Sequence, residues 1–375
     1  MRVLVANIPL PQNRFLVDLH EALGALCELT HSSDAFWQKE GDFDVVHLHF
    51  PEYVTFAVEA SYVNGLTQEM VDSVAERLAY WSKRAQIIVT RHVLLPHDAR
   101  HDPMWEKMYE MVYSFADGVV HFAGASVDEF RERYRRTTFK RGREPRHTII
   151  PHHNYASLPN TASRDEARRK LGIPANAKVM LVFGAIRGEE ERKLILDTFE
   201  GLSTANKLLL VSRWRENLSS VSWIRLKYWI RDLKRLYYRM HPQFRFNYSF
   251  VEEADTQLYL NAADVLFIAR LWVLNSGNIT LGMTYGRVVV GPDAWDVGEL
   301  LRETGNPVFD PDRPLTAVTA METGFRLASE GRVGAECRRL ALEEWRPEQC
   351  AAMYAEFFQM LVTPAHAPIQ ASAAT

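Results

Sequence analysis

Two successive series of short apolar runs, each run parted from the next by a stretch of helical period, constrain this chain more than any other feature. In the first half the runs are residues 2–8, Val45–His49, Ile87–Thr90, Gly118–Phe122 and Thr148–Ile150. In the second they are Val179–Phe183, Lys207–Val211, Arg245–Tyr248, Val265–Ile268 and Arg287–Val290. Runs of this length read as strands buried on both faces, and their alternation with helices implies parallel sheets covered by helices. Because the series restarts after the polar stretch Asn160–Asp165, the sequence predicts two doubly wound α/β domains. A length of 375 residues agrees, since one hydrophobic core seldom serves so long a chain. The break is expected near residues 155–175, where Pro159, Asn160, Ser163 and Pro174 interrupt the pattern, giving domains of 1–160 and 161–346. A last helix, about Pro347–Leu361 within 347–363, is expected to cross back to the first domain. The Ala/Pro-rich tail 364–375 is expected to be disordered.

Charge and composition remove several function classes. The formal charge of −3 gives the chain no polycationic character, so nucleic acid is not an expected partner and any anionic ligand must meet local patches. Cys27, Cys337 and Cys350 lie far apart without metal-ligand spacing and read as buried thiols of a reducing compartment. The apolar start Met1–Ile8 ends at Pro9 and Pro11, which suits a first strand better than a signal peptide, and no run is long enough to cross a bilayer. The expected location is the cytoplasm, with peripheral contact at the inner face of the cytoplasmic membrane as an option.

Within this frame, local signals follow in a definite order. Asp44–Pro51 (DVVHLHFP) is a strand running into a loop, and Thr90–Asp98 (TRHVLLPHD) carries two histidines and an acid. Ala116–Phe122 and Ile149–Tyr155 (IIPHHNY) close the first half. Phe183–Arg187 (FGAIR), Ala263–Ile268 (ADVLFI) and Asn275–Gly277 through Tyr285–Val290 complete the second. In this order the motifs resemble those of the GT-B glycosyltransferases, in particular the large retaining family 4 type with its many bacterial polysaccharide enzymes, over about residues 2–361. The resemblance implies two Rossmann-like domains facing across a cleft. It also implies transfer of a hexose-type residue from a nucleotide-diphosphate sugar to a hydroxyl of a glycan or lipid-linked acceptor. No cofactor and no metal are implied, and retention of anomeric configuration is favoured.

The residues themselves support anion binding in the second half. A nucleoside diphosphate needs backbone amides and cations around its leaving phosphates. Asn275-Ser276-Gly277-Asn278 opens an apolar helical stretch whose free N–H groups and dipole suit phosphate oxygens, with Gly277 allowing close approach. The alternative is a plain helix start capped by Ser276 or Asn275. Gly184 follows a strand, and Arg187 just beyond it can fork onto phosphate oxygens, or else be a solvated surface arginine. At the position of the family's phosphate lysine this chain has Glu190, so Arg192, Lys193 or Arg213 must supply that charge, or donor handling differs. The Glu-x7-Glu pair of the retaining enzymes falls on Val273 and Leu281, which leaves ribose recognition to other groups such as Glu252, Glu253 or Asp255.

In the first half, His92 lies just past a strand end, where ligands gather in open α/β sheets, and the matching family histidine contacts the donor sugar. His92, His97 and Asp98 are the catalytic candidates, with Asp98 or Glu52 as general base should the enzyme invert. His97 and His101 at i,i+4 raise a metal site as a competing idea that the family does not need. His47 and His49 alternate along a strand and share one face.

Two basic segments stand out. Arg131–His147 carries eight Arg or Lys against two Glu. Trp223–Met240 places Trp223, Leu226, Ile230, Leu233 and Tyr237 on one helical stripe among basic residues, with Trp229 and Tyr238 off it. An anionic membrane surface near a lipid-linked acceptor would suit both segments, whereas packing on the parent domain would suit the helix alone. Besides a transferase, a GT-B-type sugar-nucleotide epimerase and a non-catalytic transferase-like partner subunit remain as readings.

Overall fold

The structure is a computed structural model and describes residues 1–96, 99, 101–214 and 224–363. The expectations for His97, Asp98, Trp223 and the tail 364–375 fall outside the described residues. The chain divides into two compact units, one of Met1–Pro151 with the C-terminal segment from Pro347, the other of His152–Arg346.

The first unit holds six parallel strands: β1 (Arg2–Val5), β2 (Glu28–His31), β3 (Val45–Leu48), β4 (Gln86–Thr90), β5 (Gly118–His121) and β6 (Arg146–Ile149). Their order in the sheet is β2-β1-β3-β4-β5-β6. The second unit holds β7 (Lys178–Val182), β8 (Lys207–Val211), β9 (Phe244–Phe246), β10 (Val265–Phe267), β11 (Val288–Pro292) and β12 (Val308–Phe309), in the order β12-β11-β10-β7-β8-β9. These pairs too are parallel. Each expected run contains or overlaps a strand, because β3, β5 and β10 are buried along their whole length and must be apolar on both faces.

Each sheet reverses its winding once. In the first unit the chain moves outward from β1 to β2 and then continues on the other side with β3; in the second it runs from β7 through β8 to β9 before returning with β10. The switch points therefore lie between β1 and β3 and between β7 and β10. Ligands of open α/β sheets bind outside the carboxyl ends of the strands at such points.

Three aspartates that precede strands fix the register. Asp44 accepts the Arg2 backbone N–H at 2.7 Å, Asp117 that of Ile87 at 2.9 Å and Asp264 that of Val179 at 2.7 Å. Each carboxylate thus satisfies a backbone donor at the start of a neighbouring strand. This is why an Asp directly before an apolar run recurs in the sequence. Arg141 and Arg168 neutralise two of the carboxylates, pairing with Asp117 at 2.6 Å and with Asp264 at 3.0 Å.

The C-terminal helix Pro347–Val362 belongs to the first unit, where it packs on the helix Arg14–Gly24. Tyr354, Phe357 and Phe358 enter the same core as Phe15, Leu19 and Val45. Burying side chains of this size stabilises by about 1.5–3 kcal/mol each relative to leaving them exposed. Tyr354 Oη also lies 3.2 Å from Thr90 Oγ1, which ties the helix to the end of β4.

Candidate functional site

In the second unit the loops leaving the two switch-point strands meet. Asn278 Nδ2, in the first turn of the helix Gly277–Thr284, donates to the carbonyl of Phe183 directly after β7 at 2.8 Å. Gly184 follows with φ +93°, a left-handed conformation that glycine adopts without steric cost. Its N–H donates to Ser212 Oγ at 2.8 Å, so the loop is also anchored beyond the end of β8. The turn after β7 is thereby held against the helix N-terminus on one side and the next strand on the other.

Ser276 occupies the N-cap position in extended backbone, yet its side chain makes no capping hydrogen bond. A plain cap by Ser276 would make that bond. Close to this end stands the segment after β6. A Cβ on Gly277 would come within 2.6 Å of Tyr155 Oη and 3.2 Å of His152 Nε2. His152 Nδ1 lies 3.0 Å from the carbonyl of His153, so it is this nitrogen that carries the proton and donates. Burial pulls the His152 pKa down to about 3, which leaves Nε2 as a neutral acceptor beside Gly277.

The cations divide into two groups. Arg187 is exposed in the loop after β7, and its backbone N–H donates to Glu191 Oε2 at 3.0 Å. The other oxygen of Glu191 accepts from Arg270 Nε at 2.7 Å, bringing a guanidinium from beyond the end of β10 to the same loop. Arg213, next to Ser212, lies over the ring of Phe250 at 5.8 Å. Lys193, by contrast, pairs with Asp197 one turn along its own helix and is 73% exposed. Arg192 is buried, pairs with Glu189 at 3.2 Å and lies over the Trp214 ring. Glu190 is exposed in the first turn of the helix Glu189–Gly201, while Val273 and Leu281 are buried in the core of the unit. Asn275 and Ser276 are partly buried at the entrance to the helix Gly277–Thr284.

The first unit carries a histidine chain at its own switch point. Asn7, just past β1, donates through Nδ2 to the Phe50 carbonyl at 2.7 Å and accepts the His49 N–H at 2.9 Å, clamping the two switch-point loops together. His49 Nε2 lies 3.0 Å from His20 Nε2, and His49 Nδ1 lies 3.1 Å from His92 Nε2. Burial holds the His49 pKa well below 6.5, so the ring is neutral and has one N–H. It therefore donates at one of these contacts and accepts at the other, which gives the row His20–His49–His92 a direction. His92 is stacked on Phe50 with ring centroids 4.3 Å apart, fixing its orientation. His47 shares the face of His49, 4.2 Å from it between ring centroids, but is fully buried against Thr90, Tyr354 and Phe358.

A cavity of about 240 Å³ opens beside this row, with Asn7, His20, His31 and His49 on its polar side and Ile8, Pro9 and Leu10 among its apolar lining. Glu52 is buried and accepts from Tyr109 Oη at 2.6 Å and Tyr62 Oη at 3.2 Å; burial raises its pKa. That carboxyl is held within the packing of the unit. Among the described residues no group of three or more His, Cys, Asp or Glu could hold a metal ion.

Sequence reasoning did not single out Arg270, Glu191, His152 and Tyr155 in the second unit, or Asn7, His20 and His31 in the first. Asn7 had one local signal, a polar residue interrupting the apolar run 2–8. The others come together only through the fold.

No family model matches the chain, and no curated protein matches it in sequence. Solved structures match it over almost its whole length. Anabaena HepE in complex with UDP-glucose superposes with a TM-score of 0.67 at 14% identity, covering 96% of this chain and 100% of that one. Sucrose-phosphate synthase from Thermosynechococcus elongatus gives 0.65 at 14% identity over 96% and 98%. The trehalose 6-phosphate synthase of Burkholderia multivorans gives 0.59 at 11% identity over 94% and 76%. With two six-stranded parallel sheets wound by helices, the chain has the α/β architecture of the GT-B fold.

Proposed function

We propose that the protein is a glycosyltransferase whose second unit binds a nucleotide-diphosphate sugar. The observation that carries this reading is the Asn278–Phe183 contact, which gathers the uncapped N-terminus of the helix Gly277–Thr284 and the glycine turn after β7 at a topological switch point. A helix start whose side chain does not cap it offers N–H groups to phosphate oxygens. Arg187 supplies a guanidinium from the loop, with Arg270 held nearby through Glu191, so the leaving diphosphate is stabilised without a metal ion. HepE, similar in fold, is known in complex with UDP-glucose, UDP, and UDP and glucose, which supports a nucleotide sugar as donor.

The acceptor reading rests on the first unit. The cavity beside Asn7, His20 and His49 joins neutral imidazoles to an apolar wall, a combination that suits a sugar ring with hydroxyl edges and a C–H face. We assign the acceptor to a hydroxyl of a glycan or lipid-linked saccharide, in keeping with the family resemblance to bacterial polysaccharide enzymes. We assign His92 to the sugar-contacting role, with His49 fixing its tautomer. Retention is the stereochemical outcome the resemblance favours, and we assign the site of action to the cytoplasm.

One observation favours a second reading. Val273 and Leu281 are core residues where retaining relatives carry glutamates, as a transferase-like partner subunit with an altered donor site would have them. Incubation with UDP-, GDP-, ADP- and TDP-hexoses and a panel of glycan and polyprenyl-linked acceptors separates the two. Release of nucleoside diphosphate that depends on acceptor and persists in EDTA supports the transferase. Nucleotide binding with no turnover across the panel supports the partner subunit.

A further inference from the structure

The helix Ile224–Met240 turns part of its apolar surface outward. Leu233, Leu236, Tyr237 and Met240 are 47%, 50%, 58% and 74% exposed. At about 100° per residue they fall within an arc of roughly 100° on the wheel. Lys234 and Arg239, both exposed, flank that arc on either side. The residue that seats the helix is Tyr238, whose ring packs on Trp214, Phe244 and Phe246 at 5.6, 5.2 and 4.6 Å between centroids. Arg235 turns the same way, over the Tyr248 ring at 4.5 Å. Leu233 and Tyr237 of the apolar stripe thus face solvent, and the off-stripe Tyr238 is the anchor.

Charge selects the occupant. The helix carries Arg225, Lys227, Arg231, Lys234, Arg235 and Arg239 against the single Asp232, in a chain whose formal charge is −3. A second copy of this face would set like charges against each other, and a purely polar polyanion would leave the apolar row in water. A surface that is anionic above and apolar below satisfies both halves. No helix among the described residues is long and apolar enough to cross a membrane. The other basic segment is a weaker candidate, because Arg131, Arg133, Arg135 and Arg141 pair with Glu144, Glu129, Glu132 and Asp117.

We propose that the helix Ile224–Met240 docks the protein on an anionic bilayer, with Leu233, Leu236, Tyr237 and Met240 entering the interface and Lys234 and Arg239 on the head groups. This assignment is independent of the donor reading. The test is flotation of the full chain with vesicles of phosphatidylcholine alone and of phosphatidylcholine mixed with phosphatidylglycerol. The protein is expected to float with the mixed vesicles only, and less as salt is raised. Lys234→Ala with Arg239→Ala should weaken partition roughly 25-fold, from about 1 kcal/mol per basic side chain. Leu236→Ser with Met240→Ser should abolish flotation without lowering the melting temperature, since both side chains are half or more exposed. Protein that stays in solution with the mixed vesicles, or a Leu236→Ser/Met240→Ser variant that floats like the wild type, overturns the proposal. So does concentration-dependent dimerisation that this variant removes, which would give the face to a second copy.

Discussion

Asn278 and Phe183, 95 residues apart in sequence, are joined by one hydrogen bond of 2.8 Å from the Asn278 side-chain amide to the Phe183 carbonyl. The bond holds in one place the two elements proposed to bind the donor phosphates, a helix start and a glycine turn. In Asn278→Asp the side chain no longer donates to that carbonyl. It brings a negative charge that is favourable to the helix dipole and unfavourable to a phosphate. Stability should change by less than about 1 kcal/mol, while affinity for nucleoside diphosphates falls by about a hundredfold or more. Paired melting and calorimetric titrations check this, and equal losses in both would reduce Asn278 to a structural residue.

Gly277 has no room for a side chain, because the Tyr155 hydroxyl lies 2.6 Å from where its Cβ would be. Gly277→Ala should therefore displace the helix start or Tyr155, costing about 1–3 kcal/mol and weakening nucleotide binding. Tyr155→Phe removes the atom in the way, so the double variant should recover most of the lost melting temperature. His152 Nε2, 3.2 Å away, limits the recovery. A double variant no better than Gly277→Ala alone would show that the hydroxyl is not the obstacle.

The histidine row makes a pH prediction. Burial takes the pKa of His20 and His47 from 6.5 to about 3 and that of His49 well below 6.5. Below pH 6.5 the unfolded chain binds protons on these rings and the folded unit does not. Stability is therefore full above about pH 6.5 and falls as the pH drops from there towards 3. Each ring adds a slope of about 1.4 kcal/mol per pH unit well inside that window. Glu52, with its raised pKa, acts in the opposite sense as one carboxyl against several imidazoles. Denaturant unfolding at a series of pH values should show this fall, and His20→Gln should make it shallower by about 1.4 kcal/mol per pH unit. A profile unchanged by His20→Gln would mean that the ring is not held neutral.

How much of this was legible in the sequence depends on how local each signal is. Interior strands such as β3 and β10 announce themselves, since burial on both faces demands an unbroken apolar run. Two edge strands were missed. Glu28–His31 is exposed or half-exposed along its length, and Val308–Phe309 is two residues long. The candidate phosphate loop could be found because its glycine and its helix start are local features. The clamps made by Asn7 and Asn278 could not, because their carbonyl partners lie 43 and 95 residues away. The helix Ile224–Met240 showed its period but not its direction. The side it buries is set by Trp214, Phe244 and Phe246, which lie outside the helix.

The central claim is that the second unit binds a nucleotide-diphosphate sugar through Arg187 and the helix start at Gly277. The direct measurement is calorimetric titration of UDP-, GDP-, ADP- and TDP-sugars into the wild type and Arg187→Ala. One nucleotide sugar should bind, and Arg187→Ala should weaken it at least about tenfold, as loss of a hydrogen bond to a charged group does. Folded wild-type protein that binds none of these sugars, or that binds one with an affinity Arg187→Ala leaves unchanged, contradicts the account.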